Sequence, residues 1–241
     1  HLQQAAACVA QQPWPNLEWV VVEDAACEAS PSSSFVGDFA MAHPHIKVQY
    51  LPSLAAGRSV AGNCALEAAS GSWFCFLDDD DLLYADHIET LMQAMYEAMS
   101  EEKTAGSQQP RLVAAYARAF DVPSQVKRLD AAKAPQAQVA DGGNAESPSL
   151  DIQEEEAFMH PGHDRPFEPE TLLAFNYMPI QAVLFSSALF KERGGFDPAL
   201  EHLEDWNMWV RYAQGYRFVY VPKTTSMYRT PKDPTEKARR Q

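Results

Sequence analysis

The apolar segment Trp73-Phe74-Cys75-Phe76-Leu77, followed at once by Asp78-Asp79-Asp80-Asp81, constrains this chain more than any other stretch. The apolar part reads as a short buried strand. The four carboxylates repel one another and suit neither strand nor helix, so they destabilise the local fold unless something offsets their charge. Beyond the carboxyl end of a buried parallel strand, that offset is commonly a hard divalent cation carrying a phosphate ligand. A solvated acidic turn that caps the next helix is the competing reading. Asp86-x-x-Glu89, ahead of Leu91, Met92, Met95, Tyr96 and Met99, has the capping-box pattern that opens an amphipathic helix. That cap lies downstream and leaves Asp78 to Asp81 unexplained, so the metal site is the favoured reading.

The flanking sequence alternates between strand and helix patterns. Residues 2 to 11 are helical in composition until Pro13 and Pro15, and Leu17 to Val22 then reads as a strand ending in Glu23-Asp24. Ile46 to Leu51 is a second strand. Arg58 to Ser70 is a small-residue helix with Gly71 as its stop signal. Such alternation predicts βα units around a mainly parallel sheet. Leu112 to Phe120 returns to strand character. Residues 122 to 166 are rich in Ala, Gln, Pro, Ser and Gly and are expected to form an irregular insertion. Order resumes with a helix through Leu172 and Leu173, a strand from Pro179 to Phe185 and a helix near Ser187 to Glu192. A turn at Gly194-Gly195 follows, then a helix carrying Trp206, Trp209, Val210 and Ala213, and a last strand, Phe218 to Val221, closed by Pro222.

Net charge excludes some partners. With 241 residues and a formal charge of -14, the chain can bury a full core but suits neither nucleic acid nor an anionic membrane face. A nucleotide-sized anion remains compatible if a metal or a few local Arg neutralise it. The four cysteines, Cys8, Cys27, Cys64 and Cys75, lack paired metal-ligand spacing and point to a reducing compartment. No stretch reaches the roughly 18 to 20 apolar residues that span a bilayer. The expected location is the cytoplasm, including its membrane periphery. The opening at His1, directly into a helical pattern, is read as an N-terminal truncation.

Two further acid pairs stand out. Asp24 ends a strand, where it can accept hydrogen bonds from a base or ribose or simply cap a turn. Glu204-Asp205 opens a helix, where the dipole favours acids in any protein. Next to a metal-type cluster, one of that pair is a candidate general base, ionised and placed to take a proton. Arg58, following Ala55-Ala56-Gly57, stands at a helix start that could hold phosphate, with a surface Arg as the plain alternative. None of the seven His shows metal-ligand spacing on a helix, and only His202, next to Glu204-Asp205, is set apart.

Taken in order, these segments resemble family-2 glycosyltransferases of the GT-A fold. Gln12 through Asp24 resembles their second strand and Gly57-Arg58-Ser59-Val60-Ala61-Gly62-Asn63 their next helix. Gly71 through Asp81 resembles their metal-binding strand end. Gly194-Gly195-Phe196-Asp197 and Glu204-Asp205-Trp206-Asn207-Met208-Trp209-Val210-Arg211 resemble their acceptor-side segment. The resemblance implies a GT-A-like (Rossmann-like) single α/β domain, its mainly parallel central sheet flanked by helices. Residues 1–121 would form the nucleotide-sugar half, 122–166 an insertion, 167–230 the acceptor half and 231–241 a tail. It implies that Glu23, Asp24, Arg58, Asp78 and Asp79 contact the donor, and that Asp78 and Asp80 hold Mn²⁺ or Mg²⁺. Asp205 would be the catalytic base, with Glu204 and Trp206 on the acceptor side.

The implied reaction is metal-dependent, inverting transfer of one sugar from a nucleotide-diphosphate sugar to a hydroxyl of a glycan, lipid-linked or small-molecule acceptor. The family's first strand has no counterpart here, Gly62 stands where an Arg usually precedes the Asn, and no Gln-x-x-Arg-Trp run marks a processive synthase. Two other classes stay open on the residues alone. One is a nucleotidyltransferase that makes the activated sugar, and the other a non-catalytic module that binds it.

Overall fold

The computed structural model describes residues 1–24, 31–52, 57–105, 111–127, 151–154, 156–200 and 202–231. Helix α1 (Leu2–Ala10) leads into β1 (Glu18–Glu23), α2 (Pro31–Ala42), β2 (Lys47–Pro52) and α3 (Arg58–Ala68). Next come β3 (Trp73–Cys75), β4 (Leu82–Leu83), α4 (His87–Ala105) and β5 (Arg111–Lys127). The second half contributes β6 (Asp151–Glu154), β7 (Phe158–Met159), α5 (Pro169–Ala174), β8 (Val183–Ser186), α6 (Ser187–Arg193), α7 (Glu204–Ala213) and β9 (Tyr216–Pro231).

The sheet is mixed rather than mainly parallel. β1 and β2 pair in parallel as a separate two-stranded sheet, and the larger sheet runs β3-β8-β5-β9-β4. Among the described residues only β5 and β9 pair in parallel within it; β8 runs against both β3 and β5, and β4 against β9. Strand–helix alternation marks where strands fall but carries no information on direction once the chain doubles back, as β8 does between β3 and β5. The Asp run therefore lies beyond the carboxyl end of a strand whose described partner is antiparallel.

β5 shows how the layers form. Its side chains alternate, so Ala114 and Tyr116 join the cluster under α7 while Ala115 and Ala117 join the one under α4. α4 contributes Leu91, Met92 and Met95 on one side, and α7 contributes Met208, Trp209 and Tyr212 on the other. Ala residues on β5 let both helices approach closely. A third, smaller cluster of Ala6, Phe39 and Ile46 holds α1 and α2 to the β1–β2 sheet.

Other expectations also shift. α3 ends at Ala68 because Ala69 turns extended (φ -67°, ψ 134°), two residues before Gly71, which is not among the left-handed glycines. The last strand is not closed by Pro222. β9 runs on to Pro231, and Pro222 falls at a register shift, where Val221 pairs with Ala117 but Thr224 with Arg118. A proline without an N–H is tolerated in a strand at such an irregularity. The segment 122–166 is not wholly irregular: β5 continues to Lys127 and is flanked by β6 and β7, and His163 is buried. Its apolar-poor composition hid these strands, which pair along β5. Residues 128–150, where the insertion reading chiefly falls, lie outside the described residues, as does Cys27.

β1 and β3 both line one cavity of about 1200 Å³, and among the described residues no backbone pairing joins the two sheets across it. Leu2 and Val9 of α1 and Met92 of α4 line its apolar part, and the acids at the strand ends line its polar part.

Candidate active site

A turn gathers the Asp run, with the Asp81 N–H donating to Asp78 O at 3.1 Å. One carboxylate oxygen each from Asp78, Asp80 and Asp81 then lies within 4.8 Å of the others. Asp81 is buried, and its Oδ1 accepts the Arg229 backbone N–H at 3.1 Å. The Arg229 guanidinium donates to Asp80 O and to Gln4 Oε1, tying the run to β9 and α1. The sequence points to Asp78 and Asp80; the structure adds Asp81, whose burial only the pairing of β4 with β9 reveals. Asp79 is exposed and faces the cavity.

Arg58 relieves the charge of the run only in part. Burial pushes Asp78 up to about 6, reinforced by Asp80, Asp79 and Glu204 and opposed by Arg58. Burial, then Asp78 and Asp80, hold Asp81 well above the usual carboxylate range. Such crowding of ionisable oxygens fits a hard divalent cation, which takes an all-oxygen donor set and removes the repulsion. Asp78, Asp80 and Asp81 would hold it.

Arg58, the first residue of α3, bridges this run to α7. Its Nη2 donates to Asp78 Oδ2 at 3.0 Å, and its Nε forms an ion pair with Glu204 Oε1 at 2.8 Å. Gly57, before it, has φ +122°, and its N–H donates to Asp24 Oδ1 at 2.9 Å. Asp24 is thus anchored at the mouth of the cavity by the loop that positions Arg58. Glu23 also lines the cavity, and its Oε2 accepts the Tyr50 hydroxyl at 2.8 Å across the β1–β2 pair.

The acid pair opens α7 under strain. Leu203, its N-cap, is the one non-glycine residue with positive φ among those described (φ 59°, ψ 23°). Consecutive residues at a helix start point about 100° apart, so the two acids face different directions. Glu204 is buried and lines the cavity, and its second oxygen, Oε2, has no partner among the described residues. Asp205 is outside that lining; its Oδ2 accepts Asn176 Nδ2 at 2.9 Å. Burial raises the Asp205 pKa and Glu204 adds to this, against the Trp206 backbone N–H, Asn176 and Arg58. Trp206 donates its indole N–H to Leu172 O at 2.6 Å, locking α5 onto α7, and Trp209 is fully buried with its N–H on Met178 O. His202 is exposed at the cavity wall. Asn176, Arg229 and Leu203 escape a reading of the sequence because each matters through backbone geometry or a distant partner.

Residues 1–101 match the family model described as Glycosyl transferase family 2. Glycosyltransferase GlyA of Streptococcus pneumoniae serotype 4 (strain ATCC BAA-334 / TIGR4) is 30% identical over 102 residues, which is 42% of this chain and 14% of GlyA. The crystal structure of S. aureus TarS 1-349 in complex with UDP is similar at TM-score 0.57 and 16% identity, over 95% of this chain and 56% of that one. Mannosyltransferase PcManGT from Pyrobaculum calidifontis, in complex with GDP-Man and Mn²⁺, is similar at TM-score 0.56 and 17% identity, over 97% of this chain and 54% of that one. At those identities the two structures speak for fold alone. The fold is the one shared by these GT-A structures. Residues 1–101 resemble glycosyl transferase family 2, and the chain spans little more than half of the two solved chains and 14% of GlyA.

Proposed function

We propose that this chain carries the donor site and the catalytic acids of a metal-dependent, inverting, non-processive glycosyltransferase. It moves one sugar from a nucleotide-diphosphate sugar to an acceptor hydroxyl. The observation that carries the reading is the Arg58 bridge, which joins the Asp run after β3 to Glu204 at the start of α7 on one cavity, from opposite halves of the chain. TarS bound to UDP, and PcManGT bound to GDP-Man and Mn²⁺, support a donor of this class.

In this reading Asp24 receives hydrogen bonds from the base or ribose, with Asp79 close by at the cavity wall. Asp78, Asp80 and Asp81 hold Mn²⁺ or Mg²⁺, which would offset the charge of the leaving diphosphate. Asp205 takes the acceptor proton. An in-line displacement needs its base on the side away from the leaving group. Glu204 faces the donor cavity whereas Asp205 turns out of it toward Asn176, which suits that requirement. Asp205's raised pKa also makes it a better proton acceptor than an exposed carboxylate. Inversion follows from a single displacement at the anomeric carbon.

The test is to incubate the full-length protein with a panel of nucleotide-diphosphate sugars and acceptors, with Mn²⁺ or with EDTA, scoring nucleoside diphosphate release. Metal-dependent release with at least one donor is expected. Release of pyrophosphate from a sugar phosphate and a nucleoside triphosphate would indicate nucleotidyl transfer instead. Donor binding without turnover would leave a binding module.

A further inference from the structure

Arg58 stands at the junction of the two acidic elements. It touches Asp78 through Nη2 at 3.0 Å and Glu204 through Nε at 2.8 Å, while about half of its side chain remains exposed at 49%. Glu204 is buried almost completely, at 4%, yet only Oε1 has a partner. A buried carboxylate held by one guanidinium nitrogen depends strongly on that contact. Asp78 is different. It is 38% exposed, lies at the cavity and belongs to the oxygen cluster suited to a divalent cation. One guanidinium therefore serves a carboxylate that cannot leave it and another that a metal would claim.

We infer that Arg58 is a resident counter-ion, competing with the metal for Asp78 in the donor-free protein and anchored on its other side by Glu204. With a cation held at Asp78, Nη2 would be released while Nε keeps its contact with Glu204, leaving the freed edge of the guanidinium at the cavity that Arg58 lines. There it can meet the oxygens of a bound diphosphate, which matches guanidinium geometry. The protein thus holds its metal weakly when empty and firmly when the anionic donor arrives. This rests on the metal reading proposed above, and Glu204 acts in it as a positioning residue rather than a ligand.

The experiment is Mn²⁺ titration of the full-length protein without nucleotide, read by the loss of free Mn²⁺ EPR signal, and repeated with UDP and with GDP as probes. Arg58→Met is expected to tighten nucleotide-free Mn²⁺ binding about fivefold, in keeping with the ~1 kcal/mol of a half-exposed ion pair. With nucleoside diphosphate present, that advantage should vanish or reverse. Arg58→Lys keeps the charge but cannot touch both acids, so it should also tighten metal binding; wild-type affinity in that variant would reduce the effect to net charge and overturn the latch.

Glu204→Gln supplies the second readout. With its anchor weakened, Arg58 leans on Asp78, and nucleotide-free Mn²⁺ affinity should fall. In the Arg58→Met background the same substitution should have no further effect. An equal fall in both backgrounds would mean Glu204 acts by charge alone and would overturn the coupling. Far-UV circular dichroism and thermal melting of each variant separate unfolding from lost coupling. If Mn²⁺ binds and Asp80→Asn abolishes it while Arg58→Met changes nothing, the counter-ion inference fails and the metal site stands. If no variant binds Mn²⁺ with or without nucleotide, the metal reading fails and the inference with it.

Discussion

Asn63 and Phe196 exchange a reciprocal pair of hydrogen bonds: Asn63 Nδ2 donates to Phe196 O at 2.9 Å, and the Phe196 N–H donates to Asn63 Oδ1 at 2.8 Å. This pair clips α3, which carries Arg58, to the loop that leads into α7, which carries Glu204 and Asp205. Ser59 adds a third link through its hydroxyl to Leu200 O at 3.0 Å. The glycines beside the clip are set by contact. A Cβ on Gly62 would come within 2.5 Å of the Phe196 ring, and one on Gly195 within 2.1 Å of Asn63 Oδ1.

The clip makes Asn63→Ala and Gly62→Ala destabilising by different routes. Loss of the Asn63 amide leaves a half-buried N–H and C=O unpaired, at a cost of about 2 kcal/mol. Gly62→Ala must displace the buried Phe196 ring, at a cost of about 1 to 3 kcal/mol. Urea unfolding should show both, and the two effects should not add in the double variant because both act on Phe196. Additive losses would mean the two contacts are independent.

The same clip shows what could be read from the sequence and what could not. The Gly57–Asn63 and Gly194–Asp197 segments were recognisable as separate motifs, yet their contact depends on a crossing that no local pattern encodes. Gly62 stood out as a departure from the family, and its reason is the ring of a residue far along the chain. β1, β2, α3, α4 and α7 follow from hydrophobic period and small-residue composition. Strand direction does not, because β8 antiparallel to β3 and β8 parallel to β3 would present the same alternation. The Asp78 to Asp81 run was legible as uncompensated charge, and the Glu204-Asp205 pair as acids at a helix start next to a metal-type cluster. Asp81's place in the cluster, and the Asn176 amide on Asp205, required the fold.

Leu203 holds a left-handed conformation that favours glycine. Leu203→Gly should relieve about 1 kcal/mol of backbone strain and lose part of it again to unfolded-chain entropy and lost side-chain contact. Leu203→Val, branched at Cβ, should lower stability by about 1 to 2 kcal/mol and misdirect both acids. Thermal melting checks the first effect, and transfer rate at a fixed melting temperature checks the second. Equal stability of the Gly and Val variants would show that the residue is unstrained.

Two groups predict acid sensitivity in separate windows. Burial pushes His87 down to about 4, below its ordinary 6.5, against its contacts with Thr225 and Asp86. The unfolded chain binds this proton first, so stability falls as pH drops from about 6.5 toward 4. Burial favours a higher pKa for Glu18, but Lys47, the Ser70 N–H and hydroxyl, and Gln49 outweigh it and hold the group at about 2, below its ordinary 4.5. That contribution, screened by solvent around the exposed Lys47, is intact above about 4.5 and is lost between about 4.5 and 2. Urea midpoints measured against pH should fall in two stages. Glu18→Gln should flatten the lower stage and leave the upper one; an unchanged lower slope would mean the Glu18 contacts do not persist in solution.

Asp205 and Asp80 should fail differently when neutralised. Asp80→Asn removes one oxygen ligand from the cation, so the diphosphate charge is poorly offset and donor affinity falls along with turnover. Asp205→Asn keeps the side-chain shape but cannot accept the acceptor's proton. Loss of a general base typically costs about 10² to 10⁴ in rate, and because Asp205 lies outside the donor cavity, donor affinity should stay within about twofold. Glu204→Gln disturbs Arg58 and hence the donor side, so its loss should appear in donor affinity. Isothermal titration with a nucleotide-diphosphate sugar in Mn²⁺, paired with steady-state rates, separates the three. Near-normal turnover in Asp205→Asn, with turnover lost in Glu204→Gln at unchanged donor affinity, would move the base to Glu204. The unpaired Oε2 on the cavity wall would then be the oxygen that takes the proton.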